Sequence, residues 1–375
     1  MPERPSSSHH SASRMRASLK REIPAILTIF ILTLPTLWFA VGIQIYGMVA
    51  STAPHCTSNP NSDHFGNSLS NYDVEMYDTP LEWWNTTNFT VQGWENVTIS
   101  VEQEDVELSA WWVGENEGEA TVILVHGIRS CKEDHNILLT GALLANAGFN
   151  VLAIDLREHG ESSSVTGKVA GGQTEWRDVV AAFDWVNTTK NVAEEKIGVL
   201  GFSMGAAITA MAFSEDDRIN SIWLDATYYD FERIVRSELE FSGLPTFFAK
   251  SGIYAGTFLD GITLNEREPS NAATSIGERH IFVHHNEQDE RIPIIHSKDM
   301  CEVAKENVGS SGSVQCWFTN ASTEVDGYDG LIGHMMPLIL LTPEYEYRLV
   351  HWFKATLNHQ LPEDYSPLGE TFQPL

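Results

Sequence analysis

Three residues far apart in the chain have the types and surroundings for acyl-transfer chemistry. Ser203 lies in the pentapeptide Gly201-Phe202-Ser203-Met204-Gly205, between an apolar run, Ile197-Gly198-Val199-Leu200, and an Ala-rich stretch, Ala206-Ala207-Ile208-Thr209-Ala210-Met211-Ala212. Buried strand, sharp turn and helix in that order lift a serine hydroxyl to the carboxyl edge of a sheet. The glycines answer a steric demand, because side chains at positions 201 and 205 would collide with the strand and helix that the turn joins. A plainer reading of the same residues is a Gly-Ser turn with Ser203 as a helix cap. Attack on an acyl carbon also needs a base, and the base needs an orienting acid. His334, in Gly333-His334-Met335-Met336 before the last long helical pattern, can be the base; Asp289, in the loop after the run His280-Ile281-Phe282-Val283, can be the acid. A single histidine among 14 is more often structural, and a single loop aspartate is more often a turn former. Here the order Ser203, Asp289, His334, each after the right kind of element, gives them weight.

The developing oxyanion needs two backbone N–H groups. Met204, at a helix start, is one candidate. The other is Ile128, in His126-Gly127-Ile128-Arg129-Ser130 directly after the strand pattern Val122-Ile123-Leu124-Val125. Gly127 would let the backbone come close to a substrate. Asp225 also ends a strand pattern and is a rival acid; Glu287, two residues before Asp289, is a weaker one. Cys131 sits beside the oxyanion loop but on no sharp turn, so it reads as structural. Arg129 could steer an anionic group of a substrate. His284 and His285 are adjacent, hence on opposite faces of an extended chain, and make a poor metal pair. No Cys/His cluster has metal-ligand spacing. No cofactor and no metal are expected.

The elements that must position these residues follow an alternating rhythm. Strand patterns occur at 121–125, 150–154, 197–200, 221–224, 280–283 and 314–318, and helical patterns at 136–147, 174–186, 204–213, 294–307 and 338–357. Strands separated by helices imply a mainly parallel sheet covered on both faces. Two alternating stretches before them, 97–101 and 106–113, predict antiparallel strands at one sheet edge. The rhythm breaks between residues 228 and 277, where about fifty residues with Phe-, Leu- and Tyr-rich patches separate two strands. An insertion of that length is expected to cap the carboxyl edge of the sheet.

Charge and hydropathy set the surroundings. Fifty-one acidic residues against 23 basic ones give a formal charge of −28, which argues against nucleic-acid binding and is explained by solubility. The amino terminus is the exception. Arg4, Arg14, Arg16, Lys20 and Arg21 precede an apolar, Pro35-containing stretch from 23 to 54 without a charged side chain. That is long enough to cross a bilayer as a helix. A cleaved signal peptide would have a shorter apolar core and basic leader, and Ser51-Thr52-Ala53 matches a cleavage site poorly. The expected arrangement is a cytoplasmic tail over 1–22, an uncleaved transmembrane anchor over 23–50 and a polar stalk over 51–94. An extracytoplasmic domain over 95–360 and a tail over 361–375 follow. Sequons at Asn85, Asn88, Asn96, Asn187 and Asn320 all fall on the outer side and are glycosylation candidates. In an oxidising compartment Cys301 and Cys316 are the natural disulfide pair, the alternative being buried thiols.

Taken together, these motifs resemble the α/β-hydrolase superfamily over residues 95–358. The resemblance rests on His126-Gly127 after a strand, Asp155-Leu156-Arg157-Glu158-His159-Gly160-Glu161-Ser162, the turn at Ser203, Asp289 before Ile292-Pro293, and Gly333-His334. It is similar to the branch of monoacylglycerol-lipase-like and serine-aminopeptidase-like hydrolases and their membrane-tethered relatives. Glu158 and His285 depart from that branch, which usually has glycine near both places; Glu158 would add an acid near the site mouth. The resemblance implies a serine hydrolase and does not fix its substrate; with the apolar anchor, the leading expectation is a membrane-anchored serine hydrolase acting on a small-molecule ester or a lipid such as an acylglycerol. It leaves open a peptidase or amidase of the same fold, and a catalytically silent surface binding protein.

Overall fold

The structure, a computed structural model, describes residues 31–52, 67–71, 86–102, 104–114, 118–321 and 333–369. Its first helix, α1 (Ile31–Val49), is long and apolar enough to cross a membrane. Among the described residues eight strands then form one sheet: β1 (Trp94–Ser100), β2 (Glu107–Val113), β3 (Thr121–Val125), β4 (Asn150–Ile154), β5 (Ile197–Phe202), β6 (Ser221–Asp225), β7 (His280–Asn286) and β8 (Ser313–Thr319). Their spatial order is β1-β2-β4-β3-β5-β6-β7-β8. The β1–β2 and β2–β4 pairs are antiparallel and the others parallel. β3, β4, β5 and β6 are buried along their whole length, as strands covered on both faces must be.

Two apolar cores flank the sheet. One gathers Leu152, Val199, Ile208 and Phe213 under α3 (Trp176–Thr189) and α4 (Met204–Glu215); the other gathers Leu124, Trp223, Phe282 and Phe353 under α2 (His135–Asn146) and α10 (Thr342–Thr356). The stacked rings of Trp223 and Phe282, 3.7 Å apart, sit in the second core. α8 (Ile295–Asn307) joins β7 to β8, and Cys301 is disulfide-bonded to Cys316 across that connection, with 6.2 Å between the Cα atoms. Cys131 is disulfide-bonded as well.

Three expectations need correction. The predicted helix over 338–357 is two, α9 (Pro337–Leu340) and α10, because Pro343 follows a break at Leu341 whose backbone is not helical. The described parts of 51–94 are not a loose stalk, since Leu69, Phe89 and Val91 are buried in the second core. Residues 361–369 are not a free tail either: Leu361, Tyr365 and Leu368 pack on that core, and Glu346 accepts the N–H groups of Leu368 and Gly369.

The insertion after β6 holds α5 (Phe231–Phe241), α6 (Ala249–Asp260) and the short α7 (Ser270–Thr274). A third core joins α5 and α6 to the end of α1 through Ile45, Tyr46, Val235 and Ile253. The interface uses small residues. A Cβ on Gly42 would strike the Ser251 carbonyl, one on Gly252 would strike Ile45, and one on Gly256 would strike Tyr46. Trp38 meets Tyr254 and Phe39 meets Phe258, with ring centroids 6.0 and 5.6 Å apart. The Tyr46 hydroxyl donates to Asp260.

Candidate active site

Because β3, β5, β6 and β7 run parallel, the residues that follow each of them emerge at one edge of the sheet. His126, Ser203 and Asp289 are therefore brought together by topology. Ser203 sits between β5 and α4 with φ 55° and ψ −119°, a conformation that costs about 1–3 kcal/mol for a non-glycine residue. Its N–H donates to the Asp225 carbonyl on the neighbouring strand at 2.8 Å, which helps hold the strained turn. A Cβ on Gly201 would overlap the Gly205 carbonyl, and one on Gly205 would overlap the carbonyls of Val125 and His126. The turn has no room for side chains at either place. Met204 is the first residue of α4, so its N–H is among those that a helix leaves without an internal partner.

Against this turn lies the loop after β3. A Cβ on Gly127 would stand 3.3 Å from Ser203 Cβ and 3.8 Å from its Oγ, so only bare backbone fits this closely. Two histidines brace the loop. His126 Nε2 accepts the Leu156 N–H at 3.0 Å, which leaves Nδ1 to donate to the Gly127 carbonyl at 2.7 Å. Burial, and secondarily the charge of His159, pushes the His126 pKa down to about 3, so the ring stays neutral. His159 Nε2 accepts the Arg129 N–H at 3.3 Å. Asp155 receives Lys132 Nζ at 2.5 Å in a site where the Lys132 side chain is 1% exposed. The Asp155-to-Ser162 motif thus anchors the loop after β3 through Lys132 and Arg129.

Asp289 and His334 form a buried pair, Nδ1 donating to Oδ2 at 2.7 Å. Asp289 Oδ1 accepts the N–H groups of Arg291 and Ile292, both at 2.9 Å. Burial alone would raise the Asp289 pKa, but the charge of His334 and the hydrogen bonds from His285 and His334 hold it well below the usual carboxylate range. Asp289 therefore remains an anion. His334 Nε2 is buried without a hydrogen-bond partner among the described residues, Ser203 included. Free-state hydrogen bonds of catalytic groups are commonly open and tighten on substrate binding. The course of the His334 loop can be followed by its neighbours. Gly333, at φ 83°, is pressed on Gln288 and Asp289 beyond β7, while Met335 Sδ reaches Asn136 at the start of α2, beyond β3. β5 lies between β3 and β7, so the loop spans the strand end that carries Ser203.

The rivals fall elsewhere. Asp225 is engaged by His284 Nδ1 at 2.9 Å and the Tyr345 hydroxyl at 2.5 Å. Glu287 pairs with Lys298 at the surface. His284 and His285 do point apart, and His285 Nε2 donates to Asp289 at 3.1 Å. Glu158 is buried, contrary to the expected acid at the site mouth: its carboxylate accepts the N–H groups of Val165, Thr166 and Gly167 and staples that loop. Arg129 lines the cavity beside Ser203, and its guanidinium is engaged there by Met48 O at 2.7 Å and Ser51 O at 3.2 Å. Among the described residues no group of His, Cys, Asp and Glu could hold a metal ion. No sequence motif points to Asn286, whose amide donates to Gly333 O at 3.0 Å and so positions His334. Of the glycosylation candidates, Asn88 is exposed, Asn96 accepts from Trp111, Asn187 donates to Val192 O and Asn320 accepts from Gln288. Asn85 and Cys56, along with residues 23–30 of the anchor, lie outside the described residues.

A cavity with about 770 Å³ of empty space, its open mouth included, covers Ser203. Ile128 and Met204 line it beside Ser203, and Tyr228, Phe231, Ile234 and Ile292 make its apolar sides.

A family model of the alpha/beta hydrolase fold matches residues 120–250. An uncharacterized 31.7 kDa protein from the traX-finO intergenic region of Escherichia coli is 28% identical over 131 residues, which are 34% of this chain and 44% of that protein. The chain spans less than half of this relative's length. Among solved structures, the Pyrococcus furiosus esterase Pf2001 superposes with a TM-score of 0.55 at 23% identity, over 73% of this chain and 96% of that one. An alpha/beta hydrolase from a Penicillium species, GrgF, gives 0.52 at 14% identity over 71% and 99%. At these identities the likeness is one of fold.

Proposed function

From a chain with the α/β-hydrolase fold, matched by the model of that family and superposable on an esterase, we propose a serine hydrolase of carboxylic esters or acylglycerols. Ser203 is the nucleophile, His334 the base that takes its proton and returns it to the leaving group, and Asp289 the anion that orients His334. The N–H groups of Ile128 and Met204 receive the oxyanion, and water then releases the acyl group from Ser203. The observation that carries the reading is the strained Ser203 backbone, pressed against Gly127, and an Asp289–His334 pair whose outer nitrogen is buried without a hydrogen-bond partner among the described residues. Strain of that kind persists where the surrounding structure enforces it, and it gathers at active sites. The apolar cavity favours an acyl chain over a charged peptide.

We also propose that α1 is retained as a single-pass anchor, with the amino terminus cytoplasmic and the hydrolase domain outside. Burial of Ile45, Tyr46 and Ala50 in the cap core supports retention, because cleavage after them would strip that core. A fluorophosphonate probe tests the site. It should label the wild-type protein at Ser203 and leave Ser203→Ala unlabelled, with simple aryl esters hydrolysed in parallel. A folded wild-type protein that neither reacts nor turns over esters would end the proposal.

A further inference from the structure

The end of α1 reaches the candidate site itself. Ile45, Tyr46, Val49 and Ala50 border the same cavity as Ser203. This segment is fixed at several points. Arg129, from the oxyanion loop, donates to the carbonyls of Met48 and Ser51, which places a cation at the helix carboxyl end, where the dipole favours it. Val169 donates its N–H to the Ala50 carbonyl at 2.9 Å, and Lys168 bridges to Asp260 at 3.1 Å. Further up, the helix leaves Ile31, Leu32, Leu34 and Leu37 exposed, and Phe258 of α6 is 75% exposed beside it. The apolar surface of the helix is thus continuous with the cap and leads to the apolar cavity.

We infer that the carboxyl end of α1 is a wall of the acyl-chain pocket, so the helix that can tether the protein also selects its substrate: an ester with a long apolar acyl chain. The inference rests on the serine-hydrolase reading above. An acyl chain running from Ser203 along Val49 and Ile45 buries its methylenes against the helix. A short acyl group does not reach it. Val49 is the residue to change, being half-buried at the cavity edge, whereas Ile45 is packed into Gly252.

The test uses the full chain in detergent micelles with para-nitrophenyl butyrate and dodecanoate. Val49→Trp should lower the dodecanoate-to-butyrate ratio of kcat/KM by ~10-fold or more, the size of effect that a lost apolar contact gives. Ile43→Trp, on the same helix but outside the cavity, should leave the ratio unchanged. A dodecyl fluorophosphonate carrying a terminal diazirine, bound at Ser203 and irradiated, should cross-link to the peptide that contains residues 45–50; this arm needs no variant. If Val49→Trp still reacts with the fluorophosphonate, keeps the wild-type ratio, and the cross-links map to α5 and α6 alone, the inference is wrong while the serine reading stands. If wild-type Ser203 neither reacts nor turns over either ester, the serine reading fails and the inference falls with it.

Discussion

Asp289 is where single-residue chemistry can be read most directly. Its Oδ1 is occupied by two backbone N–H groups and its Oδ2 by two imidazoles, so the carboxylate has no freedom to rotate. This arrangement fixes the His334 tautomer, with the proton on Nδ1 and the lone pair of Nε2 free to receive one from Ser203. Asp289→Asn keeps the shape but can offer an amide N–H to Nδ1, which favours the wrong tautomer. We expect kcat to fall by about 10⁴ with little change in thermal stability, measured by steady-state ester hydrolysis and calorimetry. His126 and His159 contribute differently. They never meet the reacting atoms, and they hold the Gly127 loop against Ser203 through neutral rings.

Among the elements, the loop after β8 and the cap carry the site. Gly333 has φ 83° and its α-carbon faces the Gln288 carbonyl, so Gly333→Ala forces the loop off Asp289. A displacement near 1 Å costs about 10² in rate; kcat should fall by that much while fluorophosphonate labelling is slowed and not abolished. The cap has its own titration. Glu268 accepts the Phe231 N–H at the start of α5 at 2.6 Å. Burial, then the charges of Asp230 and Glu232, raise its pKa from 4.5 to about 7, against that hydrogen bond. The folded state therefore holds this proton more tightly than the unfolded chain. Stability is full below about pH 4.5 and is lost as pH rises to about 7. Glu268→Gln should raise Tm at pH 8 and change it little at pH 4.5. The gain should be about 1–2 kcal/mol after allowance for solvent screening.

For the whole molecule the question is how α1 belongs to the rest. If the helix were a discarded signal, its end would not fill the cap core with Ile45, Tyr46 and Ala50. A chain starting at residue 51 should be less stable than the full chain in the same detergent by about 3–5 kcal/mol, the burial of one aliphatic and one aromatic side chain, read by thermal unfolding. Equal stability would show that the helix is dispensable. The proposed orientation rests on the basic leader and has a separate test. Protease added outside intact cells should digest the hydrolase domain, and protection of that domain would reverse the topology. In the proposed topology, the formal charge of −28 would keep the rest of the surface away from anionic lipid and leave contact with the bilayer to α1 and the exposed aromatic edge of α6.

The positions of the strands along the chain, the sharp turn at Ser203 and the glycines around it were legible in the sequence because they are local: a few adjacent residues decide whether backbone can pass and where a hydroxyl can stand. The parallel sheet and its antiparallel edge were legible for the same reason, since each strand announces itself by its own run of apolar residues. The pairing of Asp289 with His334 was also legible, from chain order and the loop around Asp289. Other partnerships were not: that Glu158 is a buried staple, that Arg129 clamps a helix end and that Asn286 steadies Gly333 all depend on which strand lies beside which. The packing of α1 into the cavity over Ser203 is of that kind too. An apolar helix reads the same in sequence whether it meets lipid or protein, and only the small residues opposite it, brought near by the fold, decide that its last turns meet protein.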